Sequence, residues 1–279
     1  MKCAFSLRRR TLLAALPAVL FADLAAARTK DWIFVVHPFD TPSLLFARFR
    51  PLTLYLGGVL GRPVRLVIAA TYDEQIAMIS DGRAQLAYLG PTPYVKARMR
   101  SEIEILAGEA EGEQAFYQSA IVTRLDSTIQ RLGDLKGRSL ALGAEISMSS
   151  AVAPKTMLAQ AGIRLTELGK VAHLDRHERV ALSVLHGDYD AGGLRLDIAR
   201  TYLPRGLRIV AISPPLPPHV IVASVSLPAN AKQQVRIALL HPDDAGQQAL
   251  QKLGDNIRFV EINDGHFQSV RQMLKTLAP

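Results

Sequence analysis

Cysteine is almost missing from this 279-residue chain. The single one, Cys3, stands at the far N-terminus, so neither a disulfide framework nor a cysteine-built zinc or iron–sulfur site is open to the remainder. Beyond residue 27 no stretch approaches the roughly 20 apolar residues that span a bilayer. No repeat of fixed period and no low-complexity tract occurs, which excludes solenoids and propellers. Gly187 and Gly192-Gly193 have the wrong spacing for a dinucleotide fingerprint. The G-x-S-x-G elbow is absent too, so the serines, His177 and Asp197 of the second half do not make a hydrolase. His173 and His177 lie four apart beside Glu178, but no third metal ligand accompanies them. These absences predict a protein that is not an enzyme and uses no metal or cofactor.

What is present is a globular composition, 49% hydrophobic and 21% charged, on a chain longer than one small core needs. Two lobes are expected. Lys2 and Arg8-Arg9-Arg10, an apolar run from Thr11 to Ala22, and Ala25-Ala26-Ala27 form the three regions of an export signal over residues 1–27, and the paired arginines also fit a twin-arginine leader. Its removal takes four basic residues and Asp23, which lowers the net charge from +8 to +5. The basic residues that remain are scattered among acidic ones rather than striped, so nucleic acid is not the expected partner. An exported, unanchored periplasmic monomer follows.

Strand-like and helix-like segments alternate from Trp32 onward, the pattern of parallel α/β units. Strands are expected at Trp32–His37, Val64–Ala69 and Gln85–Leu89, with helices over Phe46–Leu60, Tyr72–Ser80 and from Tyr94. After the hydrophilic patch 109–114, a long strand from Tyr117 to Thr123 is the expected crossing into a second unit. That unit has strands at Ser139–Leu142, Lys170–His173, Tyr189–Gly193 and Leu207–Ile212, and helices at Ser149–Ala161 and Glu178–His186. Ser213-Pro214-Pro215-Leu216-Pro217-Pro218 is too proline-rich for a helix or a central strand and reads as a stiff hinge. Val220–Val225 then returns to the first unit, followed by helices near 231–240 and 267–277. The expected division is residues 28–118 with 219–279 in one lobe and 119–218 in the other, with a cleft between them.

Two turns in this pattern carry chemistry. In Tyr88-Leu89-Gly90-Pro91-Thr92-Pro93-Tyr94 a strand ends, Gly90 permits a tight turn, and Thr92 is placed to cap a helix whose N-terminus favours an anion. Gly143-Ala144-Glu145-Ile146-Ser147-Met148-Ser149-Ser150 is a second such helix start, with three serines supplying hydroxyls beside backbone donors. Either turn alone is also simply a capped helix; facing each other across a cleft they grip an oxyanion. His177 follows its strand at the same sheet edge, where it is either a donor to the anion or an ordinary surface histidine, and Asp197 is either an acceptor for a ligand's proton or an exposed aspartate with no such task.

The ordered segments Phe49-Arg50-Pro51-Leu52 through Val64, Tyr88–Tyr94, Leu132–Arg138, His177 through Gly192, and Ser213–Pro217 resemble the phosphate/phosphite/phosphonate ABC-transporter family of periplasmic substrate-binding proteins, over roughly residues 32–228. The resemblance implies an α/β, two-lobed type II periplasmic-binding-protein fold, with two hinge crossings and a ligand cleft between the lobes. By position it implies that Tyr72 and Tyr94 are ligand-contacting tyrosines of the first lobe, Ser147 and Ser149 the serine loop, and His177 the second-lobe histidine, with Asp197 meeting a ligand's polar tail. Thr92, Met148 and Ser150 complete the expected ligand-binding set. Two departures stand out: Met148 and Ser150 occupy positions where the family commonly has threonine and glycine, and Pro218-His219 stands where members often carry Asn-Asp. The expected ligand is a small oxyanion, namely phosphate, phosphite or a small phosphonate, delivered to an ABC transporter permease. A ligand-loaded sensory protein docking on a membrane histidine kinase, or a pocket repurposed for a small organic ligand, is the alternative.

Overall fold

The computed structural model describes residues 31–277. The export leader read in residues 1–27, with Cys3, lies outside the described residues. The chain begins β1 (Trp32–Val36), α1 (Pro42–Val59), β2 (Val64–Ile68), α2 (Tyr72–Ser80), β3 (Leu86–Leu89), α3 (Pro91–Arg100) and β4 (Glu104–Glu111). It continues through β5 (Ser119–Arg124), β6 (Ser139–Leu142), α4 (Ala153–Gln160), β7 (Lys170–His173), α5 (His177–Leu185), β8 (Ala191–Arg195), α6 (Leu196–Tyr202) and β9 (Leu207–Ile212). It returns as β10 (Val220–Ala223), α7 (Ala229–Leu240), α8 (Asp244–Gln251), β11 (Ile257–Val260) and α9 (Gln268–Thr276).

Two sheets result, one in the order β11-β4-β10-β3-β1-β2 and the other β7-β6-β8-β5-β9. Neither is wholly parallel. β10 runs antiparallel to β3 and β4, and β5 antiparallel to β8 and β9, because each of these strands follows a crossing rather than a helix. All four residues of β3 and of β10 are buried, as continuous apolar runs in the middle of a covered sheet should be. On α1, Leu45, Phe49, Leu52 and Leu56 fall on one helical face and pack against Phe34 and Val36 of β1. The second sheet is covered in the same way by Val180, Ala181 and Val184 of α5. Among the described residues, no helix is long and apolar enough to cross a membrane.

The two crossings are stitched together where they meet. Tyr117 and Leu216 exchange backbone hydrogen bonds of 3.1 and 2.8 Å, and the Ser119 and Ser213 backbones are joined by a further 2.9 Å bond. Tyr117 therefore stands in an isolated bridge, and β5 begins only at Ser119, later than the sequence pattern suggests. Other differences have local causes. α1 starts at Pro42 because proline fits the first helical position, and Phe46 is left exposed rather than joining the buried stripe. The hydrophilic patch at 109 is the end of β4, whose glutamates alternate with buried alanines. β8 lies two residues further on than expected, so Arg195 ends the strand and Asp197 falls in the first turn of α6. The expected helix over Ser149–Ala161 is a π-helical turn at Met148–Val152 that runs into α4.

Candidate functional site

Strand ends from both sheets surround a cavity of about 560 Å³. Its lining includes His37 after β1, Gly90 and Pro91 after β3, Arg195 at the end of β8, Tyr117 on one crossing and His219 on the other. Six of the nine residues expected at a ligand site line it: Tyr72, Ser147, Met148, Ser149, His177 and Asp197.

The serine-rich helix start is built on Gly143. A side chain there would collide with the Ser150 hydroxyl, which occupies the space the glycine leaves, and the Gly143 N–H donates to the Ser150 carbonyl at 3.0 Å. Ser150 is thereby folded back onto the loop and does not line the cavity. The Ser147 carbonyl accepts from both Ala151 and Val152, the wide hydrogen bonding of a π turn. The amides of Met148, Ser149 and Ser150 are first-turn donors for which a helix has no internal acceptor. The hydroxyls of Ser147 and Ser149 accompany them at the cavity wall.

The opposite helix start is poorer than its position suggests. Gly90 is its N-cap, Pro91 and Pro93 have no N–H to give, and the Tyr94 N–H is bonded to the Gly90 carbonyl at 2.9 Å. Only the Thr92 amide remains from that turn. The expectation that Thr92 caps the helix is corrected. Gly90 holds that position, and the fully buried Thr92 hydroxyl donates to the Met148 sulfur at 3.3 Å. Tyr94 is also turned away. Its ring packs 4.3 Å from Phe267, and its hydroxyl donates to Asp264 at 2.7 Å, outside the cavity lining. Two amide-rich helix ends facing each other is therefore not what the structure shows; one amide-rich end faces a proline-blocked one.

Rings and two buried ionisable side chains, Arg195 and Glu109, make up much of the remaining wall. His177 opens α5, and its Nδ1 accepts from the Arg195 N–H at 3.4 Å, which leaves the proton of the neutral ring on Nε2. Burial, and then the Arg195 charge, push its pKa down to about 4. Burial drives His37 down to about 3 and carries His219 well below its ordinary value. All three imidazoles are uncharged at neutral pH. Burial works against the Arg195 guanidinium, but Asp197, 2.9 Å from its Nε, and Glu109 more than compensate and hold it charged. Burial pushes the Glu109 carboxyl up, an effect that Arg195 and the 2.5 Å hydrogen bond from Tyr88 temper. The Tyr72 phenol is raised by burial and hydrogen-bonded to Ser147, linking an element of the first sheet to one of the second.

Arg195, Glu109, His37 and Tyr117 line the cavity as well, beyond the residues expected from the sequence. The available signal was a polar residue closing an apolar strand, as in Val35-Val36-His37-Pro38. His173, by contrast, turns its Nδ1 to the Gly143 carbonyl at 2.6 Å, and does not line the cavity beside His177.

Residues 34–267 match the family described as ABC transporter, phosphonate, periplasmic substrate-binding protein. Among solved structures, PhnD1 from Prochlorococcus marinus in complex with methylphosphonate is similar at a TM-score of 0.79 and 20% identity, covering 89% of this chain and 98% of that one. A binding-protein component of an ABC phosphonate transporter from Pseudomonas aeruginosa follows at 0.77 and 20%, covering 87% and 85%. XAC2383 from Xanthomonas citri, bound to ATP, reaches 0.75 at 18% identity, covering 88% and 99%. At these identities the likeness establishes the fold, that of type II periplasmic binding proteins.

Proposed function

The chain belongs to the family of periplasmic substrate-binding proteins of phosphonate ABC transporters, and from that premise we propose that its own ligand is a phosphonate or a closely related tetrahedral oxyanion. The observation that carries this is convergence on one cavity. The first-turn amides of Met148 and Ser149, the Ser147 and Ser149 hydroxyls, a neutral His177 and the buried Arg195 charge border the same space. Hydrogen bonds from such donors to a charged oxygen contribute roughly 1.5–3 kcal/mol each, and a bound anion also gains from the positive end of the helix dipole.

Asp197 gives a means of selection. Its carboxylate beside Arg195 rewards an oxyanion that still carries a proton and repels one that is fully ionised, which favours phosphonate, phosphite or phosphate over sulfate. Residues 31–118 with 219–277, and residues 119–218, act as the two lobes, hinged at the stitched crossings. Ligand contacts from both lobes exist together only in the closed form, so binding shifts the population toward it. The closed, loaded form is what the transporter permease receives.

Isothermal titration with methylphosphonate, phosphite, phosphate and sulfate tests the proposal. Micromolar or tighter binding of at least one of the phosphorus oxyanions, with sulfate weaker, is expected. No heat of binding across the panel, with no thermal stabilisation at saturating anion, overturns it.

A further inference from the structure

We infer that the oxyanion selected by this cavity carries a flat, unsaturated ring, with the ring lying against an aromatic wall and the anionic head at the serine-rich helix start. This rests on the oxyanion reading above and names the class of ligand within it. The first ground is volume. About 560 Å³ falls in the range of roughly 300–1,000 Å³ typical of sites for organic ligands and is several times what a bare tetrahedral anion fills.

The second ground is what covers that volume. Phe39, Tyr72, Tyr88, Tyr117, His37 and His219 all line the cavity. Three of these rings share one orientation: the planes of Tyr88 and His219 differ by 4°, those of His37 and His219 by 5°, and those of His37 and Tyr88 by 5°. Tyr117 lies within 29° of His219 at a centroid distance of 5.4 Å. Tyr117 and His219 keep part of their surface uncovered, and the space they border is this cavity. Gly90 makes room for the arrangement, since a Cβ there would stand 3.3 Å from His219 Nε2. Stacked or tilted ring contacts of this kind favour a π-faced guest over a saturated one of equal size.

The third ground is a buried polar atom with nothing to meet. His37 is 3% exposed and its Nδ1 has no hydrogen-bond partner, although the residue lines the cavity. An imidazole nitrogen donates or accepts according to its tautomer, so a ring carrying a polar atom supplies the missing partner. The proline-blocked helix start is consistent with this division of the cavity, because it withholds the second set of amides that a bare anion would use.

Titration of the full-length mature protein with methylphosphonate, cyclohexylphosphonate and phenylphosphonate separates head, bulk and ring. Phenylphosphonate is expected to bind at least about tenfold tighter than either of the others. Tyr117→Leu and, independently, His219→Leu are expected to reduce the phenyl-to-cyclohexyl affinity ratio toward one. Methylphosphonate binding as tightly as phenylphosphonate, or cyclohexylphosphonate matching it, overturns the ring assignment and leaves oxyanion capture standing. Failure of all the phosphonates and of inorganic phosphate to bind overturns oxyanion capture, and the ring assignment with it.

Discussion

The two helix starts that border the cavity differ in a way their matching positions conceal. Each follows a strand at the same kind of sheet edge, and each begins a helix whose dipole favours negative charge. At Met148 the first turn brings the Met148 and Ser149 amides to the cavity and is flanked by the hydroxyls of Ser147 and Ser149; at Pro91 the first turn has one amide, beside a threonine whose hydroxyl is spent on the Met148 sulfur. A helix N-terminus is an anion site only to the extent that its N–H groups exist and are unoccupied. The prolines convert one of the pair from a grip into a wall, and the rings beside it continue that wall.

The comparison breaks most readily on the serine side. Replacing Ser147 and Ser149 together by alanine should lower affinity for the preferred phosphonate by about 100-fold or more, since two hydrogen bonds to a charged group are lost. A loss of less than threefold in titration calorimetry would remove the distinction between the two starts. The corresponding change on the other side, Thr92→Val, should alter affinity by no more than about threefold.

Acid stability is next in size. The folded-state values of His37, at about 3, and His177, at about 4, lie below the ordinary value of 6.5, and His219 is lowered as well. The unfolded chain therefore takes up protons first. The stability these rings contribute is intact above pH 6.5 and is lost as pH falls from there toward 4. Melting temperature should drop across that window, and less steeply in saturating methylphosphonate, because an adjacent anion favours the imidazolium form of His177. A melting temperature that is flat from pH 7 to 4 would contradict the neutral, buried placement of these rings.

Two smaller effects sharpen the contrast. Tyr94→Phe removes the hydroxyl that bonds the exposed Asp264 carboxylate, away from the cavity, so it should cost about 1 kcal/mol of stability in chemical denaturation and leave phosphonate affinity unchanged. Pro93→Ala returns one N–H to that helix start, and binding of methylphosphonate should tighten by about threefold or less. A large gain would mean that the first-sheet helix already faces the anion directly.

Much of the fold is legible in the chain because its punctuation is strong. Asp81-Gly82 ends α2 and Gly187 follows α5, while the apolar runs of β1, β2, β6 and β7 stand between polar turns. β4 is hidden because Glu104, Glu109 and Glu111 place charges on a strand whose other face is buried. The region after Leu240, with α8 and β11, carries too short and too mixed a pattern to assign. The π turn at Met148 also escapes periodicity, since its extra residue follows from Ser150 settling onto Gly143, a contact outside any local repeat.

For the site, the serine cluster and His177 can be picked out because they sit within single turns. Arg195, Glu109, His37 and Tyr117 cannot, because they come from β8, β4, the end of β1 and the first crossing, and only the folded sheets bring them together. The weakness of the Pro91 start was nonetheless written in the sequence: Pro91 and Pro93 have no N–H in any structure.

The most direct measurement is a crystal structure of the protein grown with methylphosphonate. Phosphonate oxygens within hydrogen-bonding distance of the Met148 and Ser149 amides and of the Ser147 and Ser149 hydroxyls are expected, with the methyl group directed toward the rings. A phosphonate seated on the Pro91 turn instead, or bound outside this cavity altogether, would contradict the account.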